Sequence, residues 1–240
     1  MSGGGGVTTA FSSTTEFEKG LVYCKSKLPF SYKNEINLEK SPSYFPTESV
    51  PKRIKESLGG KVKFIICVRD PVERAISDFH HTSYLRMRHR DMWGRTRESE
   101  GERFASVFID ENGNLKSNQT VITESLYAVH LRHWLQYFTL DQFLIIHVED
   151  IRRNLSKVMT EVEAFLNIEP FFKFEMFKYH RRSCVKLPTS DNAYCAPIWG
   201  TELAHPRLNK TVTRMLRDYY RPFNREFESM TNRTFSWTYL

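Results

Sequence analysis

No stretch of this 240-residue chain approaches the ~18 consecutive apolar residues that a membrane-spanning helix requires. The first residues are Gly, Ser and Thr rather than a basic segment followed by an apolar one, so no targeting leader is expected in the sequence as it stands. The glycine run Gly3–Gly6 has no strand before it and no Lys-Ser/Thr after it, which excludes a phosphate-cradling glycine loop. Acidic residues are short of basic ones, 28 against 35, leaving a net charge of +7. That balance implies a polyanionic partner, with nucleic acid, acidic membrane and sulfated polysaccharide all compatible. No recognised nucleic-acid-binding motif is present. A disordered chain is excluded by 40% hydrophobic and 14% aromatic content, and the length suits one large domain or two small ones.

The most informative stretch is Lys61–Phe79, KVKFIICVRDPVERAISDF. Phe64-Ile65-Ile66-Cys67-Val68 is a short apolar run rich in β-branched residues, the pattern of a strand buried on both faces of a parallel sheet, with Cys67 a core thiol. It stops at Arg69. Asp70 then offers a helix N-cap, Pro71 a first helical residue without an N–H, and Glu73 the third position of a capping box. Ligands of open α/β sheets bind beyond the carboxyl ends of the strands, so Arg69 stands where an anion is expected.

Val68-Arg69-Asp70-Pro71-x-x-Arg74-Ala75-x-Ser77-Asp78-Phe79 closely resembles a motif of sulfotransferases that use 3′-phosphoadenosine 5′-phosphosulfate (PAPS). The resemblance implies that Arg69 and Ser77 hold the 3′-phosphate of this co-substrate. A guanidinium grips phosphate through parallel charge-assisted bonds, and a hydroxyl adds a donor without charge. Glu39-Lys40-Ser41-Pro42-Ser43-Tyr44-Phe45 resembles a motif of one branch of the family, the heparan sulfate glucosaminyl 3-O-sulfotransferases. It implies an active-centre role for Lys40, offsetting charge on the departing phosphate oxygen; the bland alternative is a surface lysine beside a turn. Ser125–Phe138 and the ending through Phe235 and Trp237 resemble the same branch. The likeness implies a Golgi or secretory setting, heparan sulfate as partner, and no metal.

Elsewhere, local patterns speak for themselves. Met1–Thr15 is low-complexity and is expected to be a flexible leader to a domain spanning 16–240. Apolar spacing predicts helices over Glu16–Leu28, Ser49–Leu58 with Gly59-Gly60 as its stop, Asn154–Leu166 with Asn154 as N-cap, and Asn209–Tyr220. Phe143–Val148 is a second strand. His80–Asn118 reads as a long polar insertion with an Asn112-Gly113 turn, and its Arg-rich run Arg86–Arg103 is either a polyanion face or a solvated loop. His81 stands where relatives carry a saccharide-contacting Gln, and His80-His81 lack a third metal ligand. Leu126, Val129, His130, Trp134, Leu135 and Phe138 share a core face. Phe171–Tyr179 is aromatic and is expected to cover a sheet edge or form part of a short hairpin. Cys184 and Cys195 flank ten residues rich in turn formers, which predicts a disulfide-closed hairpin and an oxidising compartment. Sequons at Asn118, Asn154, Asn209 and Asn232 agree with secretion.

The expected architecture is therefore α/β, a P-loop-like parallel sheet flanked by helices. Three pieces of the family pattern have no counterpart in the sequence. The first strand-loop-helix unit, with its Lys-x-Gly-rich phosphosulfate loop, is not found. The place of the general base falls near Thr9, and Glu16 and Glu18 are the carboxylates nearby. Ala196–Ala204, APIWGTELA, replaces a Lys-Gly-Arg loop ahead of His205-Pro206. Sulfuryl transfer to a glucosamine 3-hydroxyl of heparan sulfate is the leading expectation, and a non-catalytic heparan sulfate-binding protein or incomplete isoform is the alternative.

Overall fold

The computed structural model describes residues 11–20, 22–23, 32, 35–90, 107–173, 184–186, 193–195 and 210–239, with backbone alone at 82–90, 184–186, 193–195 and Tyr239. The chain divides into two compact units, Met1–Phe64 with Ala128–Gln142, and Ile65–Tyr127 with Phe143–Leu240.

In the first unit, α1 spans Thr14–Phe17 and starts where the Ser13 hydroxyl accepts the Glu16 amide. Phe11, just before it, is buried, and its ring packs on Phe17 and edge-on against Tyr44. The second helix, α2, spans Ser49–Leu58 as the apolar spacing predicts, burying Val50, Pro51 and Ile54. It stops at Gly59, whose φ of 78° is a conformation that side chains resist. Phe64 and the Ala128–Gln142 segment supply an aromatic core: Trp134 and Phe138 meet the Phe64 ring edge-on at 4.8 and 4.7 Å. Gln142 Nε2 ties this segment to the Gly60 and Val62 carbonyls.

In the second unit, β1 (Phe64–Val68) leads straight into α3 (Pro71–Arg90). The latter runs eleven residues past Phe79, so His80–Arg90 continues a helix rather than opening the polar insertion. Residues 91–106, including most of the Arg-rich run, lie outside the described residues. Beyond them Asp110 Oδ1 accepts the Asn112 and Asn114 amides, and Gly113 has a φ of 81°, forming the expected turn. Short helix α4 (Thr120–Thr123) precedes α5 (Tyr127–Trp134), which belongs to the first unit from Ala128 onward. Next, β2 (Phe143–His147) lies beside β1 in a parallel sheet, with a crossover between them.

The reading of β1 as buried on both faces is corrected. Val68 is fully buried, but Cys67, which alternation turns to the opposite face, is exposed and free. One face of this strand is covered more fully than the other, so Cys67 is not a core thiol.

Helix α6 spans Val148–Leu166 but breaks at Asn154, where φ is −153° and ψ 74°. Asn154 Oδ1 accepts the Lys157 amide at 3.0 Å, so the residue restarts the helix as the N-cap expected from sequence. Buried Glu163 takes the Phe171 and Phe172 amides at 2.7 and 2.8 Å and anchors the start of the aromatic segment. Its remainder, 174–179, lies outside the described residues. Strands β3 (Cys184–Lys186) and β4 (Ala193–Cys195) form an antiparallel hairpin whose register sets Cys184 opposite Cys195.

The last helix, α7, spans Lys210–Thr231 and continues through Pro222, where sequence reading ended it near Tyr220. Proline removes one helical hydrogen bond and crowds the preceding turn. Here Val212, Leu216, Tyr220, Asn224 and Phe227 form one buried stripe on both sides of it, and that burial outweighs the local defect. Beyond α7, Phe235 stacks between Phe227 and Trp237, and Arg233 donates to the Ile145 carbonyl of β2.

Candidate functional site

The turn from β1 into α3 is fixed by its own residues. Asp70 Oδ1 accepts the Val72 and Glu73 amides at 2.8 and 3.4 Å, and the Asp70 carbonyl accepts the Arg74 amide. The first-turn amides of α3 are thus already engaged, and little of the helix terminus is free to meet an anion. Burial raises the Asp70 pKa, the two amide bonds work against it, and Arg217 is a nearby cation that also lowers it.

Arg69 is held from behind. Buried Tyr127 donates its hydroxyl to the Arg69 carbonyl at 3.1 Å, and the Arg69 amide approaches the same oxygen at 3.5 Å. Burial pushes the Tyr127 pKa up to about 12, so it remains a neutral donor at physiological pH. With the backbone pinned, the Arg69 side chain lies along α3. One guanidinium nitrogen, Nη2, is 3.7 Å from Glu73 Oε2, while Nε is buried with no acceptor among the described residues.

Glu73 and Ser77, four apart, share one face of α3, and Arg69, two residues before the helix starts, reaches that face through its 3.7 Å contact with Glu73. Ser77 is half-buried on the turn after Glu73. A guanidinium edge without an acceptor among the described residues thus stands at the start of α3 beside an exposed carboxylate, with the Ser77 hydroxyl one turn further along the helix. An oxyanion placed there would displace Glu73 from Arg69 and satisfy Nε.

The motif's other arginine is spent on structure. Arg74 Nε donates to Ser125 Oγ at 2.5 Å, Nη1 pairs with Glu124 at 3.2 Å, and Nη2 reaches the Val121 carbonyl at 2.7 Å and Asp78 at 3.4 Å. Ser125 is itself buried and donates to the Pro71 carbonyl. Arg74 thus clasps α4 to α3.

Lys40 belongs to the first unit. It is exposed and makes no hydrogen bond or ion pair among the described residues. The segment that carries it is well anchored: Trp134 Nε1 donates to the Phe45 carbonyl at 2.9 Å, and His133 bonds the Glu48 carbonyl. Tyr44 donates to Glu39 and accepts the Phe11 amide at 3.2 Å. Arg53 holds the Phe11 carbonyl and the Thr14 hydroxyl. Burial raises the Glu39 pKa and the Tyr44 bond partly offsets it.

His81 is exposed, and no group of three metal-ligating side chains occurs among the described residues. Thr9, Ala196–Ala204 and His205-Pro206 lie outside the described residues, while Glu16 sits in the first turn of α1 and Glu18 is its exposed C-cap. Sequence reading missed Tyr127, which bonds the Arg69 carbonyl from 58 positions away, and Arg217, whose charge acts on Asp70 from 147 positions away. Nothing local in the sequence marks either.

The family model described as the sulfotransferase domain matches residues 12–187. The chain is 33% identical over 235 residues to heparan sulfate glucosamine 3-O-sulfotransferase 5 of Mus musculus and of Homo sapiens, covering 95% of this chain and 64% of each relative. It is 33% identical over 228 residues to the Mus musculus 3B1 enzyme of the same name, covering 92% of this chain and 55% of that protein. The chain thus spans less than two thirds of the length of these curated relatives. A sulfotransferase from Alicyclobacillus acidocaldarius has the same fold, with a TM-score of 0.55 at 20% identity, over 83% of this chain and 66% of that one.

Proposed function

We propose that this chain, which belongs to the sulfotransferase domain family, transfers a sulfuryl group from PAPS to a glucosamine 3-hydroxyl of heparan sulfate. The names of the relatives supply the acceptor class. The observation that carries the nucleotide part is Arg69, its backbone pinned just after β1 and its guanidinium Nε buried without an acceptor among the described residues. A charged donor left unmet in a protein interior is unfavourable, and a phosphate oxygen is the partner its fork geometry fits.

In this reading Arg69 and Ser77 hold the 3′-phosphate, and Glu73 yields Arg69 when the phosphate arrives. When bound, PAPS supplies an activated sulfur that an acceptor hydroxyl attacks in line. Lys40, exposed on an anchored segment, neutralises charge on the oxygen that departs. A Cys184–Cys195 disulfide closes the hairpin, for which the paired register of the two strands is the support. That bond and the family resemblance favour a secretory compartment, the Golgi lumen, and the net charge of +7 suits a polyanionic polysaccharide.

Calorimetry with adenosine 3′,5′-bisphosphate tests the nucleotide site, followed by transfer of labelled sulfate from PAPS to heparan sulfate. Saturable binding that Arg69→Ala abolishes, with label found on glucosamine, is the expected result. A folded chain that binds no bisphosphate overturns the reading. Binding of nucleotide and polysaccharide without transfer would instead favour the non-catalytic alternative.

A further inference from the structure

Arg69 is not the sole arginine in the second unit with a buried, unpartnered Nε. Arg217, on the C-terminal helix α7, shares that condition among the described residues. Helix α7 packs against α3. Arg217 lies close enough to Asp70, the residue joining Arg69 to α3, to act on its carboxyl through charge. Asp70 Oδ1 is occupied by two backbone amides, and Glu73 reaches only Nη2 of Arg69, at 3.7 Å. Tyr220, three residues beyond Arg217, donates to the Ile122 carbonyl, close to Ser125, which bonds the Pro71 carbonyl in the first turn of α3. Arg217 and Arg69 therefore flank the same region, each with a buried Nε that meets no acceptor among the described residues.

The Nε edge matters chemically. Nε–H and one terminal N–H point in parallel and match two oxygens of a tetrahedral oxyanion, an arrangement a lysine cannot reproduce. The first-turn amides of α3 are engaged by Asp70, so charged donation to an anion at this place falls to arginine side chains rather than to the helix terminus. Arg74, by contrast, has every nitrogen committed to Ser125, Glu124, Asp78 or Val121.

We propose that Arg217 is a second phosphate-binding residue, gripping together with Arg69 the same phosphate monoester beside Asp70. The inference rests on the nucleotide reading above and deepens it: the 3′-phosphate is held from two sides, by the β1–α3 turn and by the C-terminal helix. Docking of α7 thereby becomes a condition for tight nucleotide binding.

The test compares adenosine 3′,5′-bisphosphate with adenosine 5′-phosphate, which lacks the 3′ group, on the wild type, Arg217→Gln and Arg217→Lys. Arg217→Gln should weaken the bisphosphate about 10–100-fold, as loss of a charge-assisted fork implies. The penalty should fall below about threefold for adenosine 5′-phosphate, measured by displacement, since the partner of the fork is then absent. Arg217→Lys should recover the affinity only in part. Equal penalties for the two nucleotides, or an unchanged bisphosphate affinity in Arg217→Gln, would overturn the proposal, because a merely structural arginine does not distinguish the ligands. If the wild type binds no bisphosphate, the nucleotide reading fails separately, and inorganic phosphate decides the arginine site. A phosphate-induced rise in melting temperature lost in both Arg217→Gln and Arg69→Ala supports the site; the same rise, or none, in all three proteins refutes it.

Discussion

Arg69 and Arg74 stand five residues apart in one motif, carry the same charge, and should fail in opposite ways when removed. Arg74→Ala leaves Glu124, the Ser125 hydroxyl and the Val121 carbonyl without their partner. Breaking a buried ion pair from one side costs about 3–5 kcal/mol. Arg74 and Glu124 retain 21% and 33% of their side-chain exposure, so solvent screening reduces that figure to roughly 2–3 kcal/mol. In a chain of this length the loss lowers the melting temperature by about 5–10 °C. Glu124, whose pKa burial already raises, loses the cation that holds it down and titrates higher still.

Arg69→Ala gives up a 3.7 Å contact to a half-exposed Glu73, worth about 0.3–0.5 kcal/mol, and removes a buried N–H that has no acceptor among the described residues. The two effects oppose each other, so the melting temperature should move by less than about 3 °C. Its cost appears on ligand: loss of charge-assisted bonds to phosphate is worth about 2–4 kcal/mol, or roughly 30–1000-fold in affinity. Differential scanning calorimetry on both variants, with and without adenosine 3′,5′-bisphosphate, separates the two cases. An Arg74→Ala protein that melts with the wild type, or an Arg69→Ala protein destabilised as much as Arg74→Ala, would refute the division of labour.

Glu39→Gln retains an acceptor for the Tyr44 hydroxyl while removing a carboxylate whose pKa burial raises, so it should melt above the wild type near pH 7. A raised carboxyl favours the fold when protonated and loses that contribution as pH rises through its folded pKa; the gap should therefore close below the ordinary value of 4.5, and melting curves across pH 3–8 check it. Gly59→Ala meets no atom within 4 Å but must adopt a φ of 78°, so chemical denaturation should report a loss of about 1–3 kcal/mol from backbone strain alone. Asn154→Ala removes the cap at the break in α6 and should cost about 1 kcal/mol, whereas Asn154→Asp, which still accepts the Lys157 amide, should cost much less in the same urea titration.

What sequence reading recovered was local in its physics. The α2 span and its glycine stop, the Asn154 cap, the Asp110–Asn114 turn and the two sheet strands each depend on residues within a few positions of one another. What it missed depends on contacts between distant segments. Pro222 argues locally against a continued helix, and only the buried stripe from Val212 to Phe227 explains why α7 runs through it. Cys67 belongs to a uniformly apolar run, and nothing in that run says that one face of the strand stays open. Arg69 and Ser77 are singled out as a pair by the motif they share with sulfotransferases, but nothing local in the sequence shows how differently Arg69 and Arg74 are bonded. The distinction lies in Ser125, Glu124 and Val121, some fifty positions away.

The distribution of satisfied and unsatisfied groups around the β1–α3 turn also bears on why the motif is so long. Arg74 bonds Ser125, and Asp70, Ser125 and Tyr127 each bond the backbone of the turn or of the first turn of α3. A turn built only for stability would extend that closure to its remaining charges. Instead Arg69 and Arg217 each keep a buried Nε without an acceptor among the described residues. Rigid neighbours make that arrangement affordable, because a guanidinium that cannot relax toward an alternative acceptor stays oriented for a ligand. Loosening the frame, for example with Tyr127→Phe, should therefore weaken nucleotide binding beyond what its loss of stability explains. Calorimetry well below the melting temperature of the variant would detect this, and unchanged affinity there would refute the idea that the frame orients Arg69.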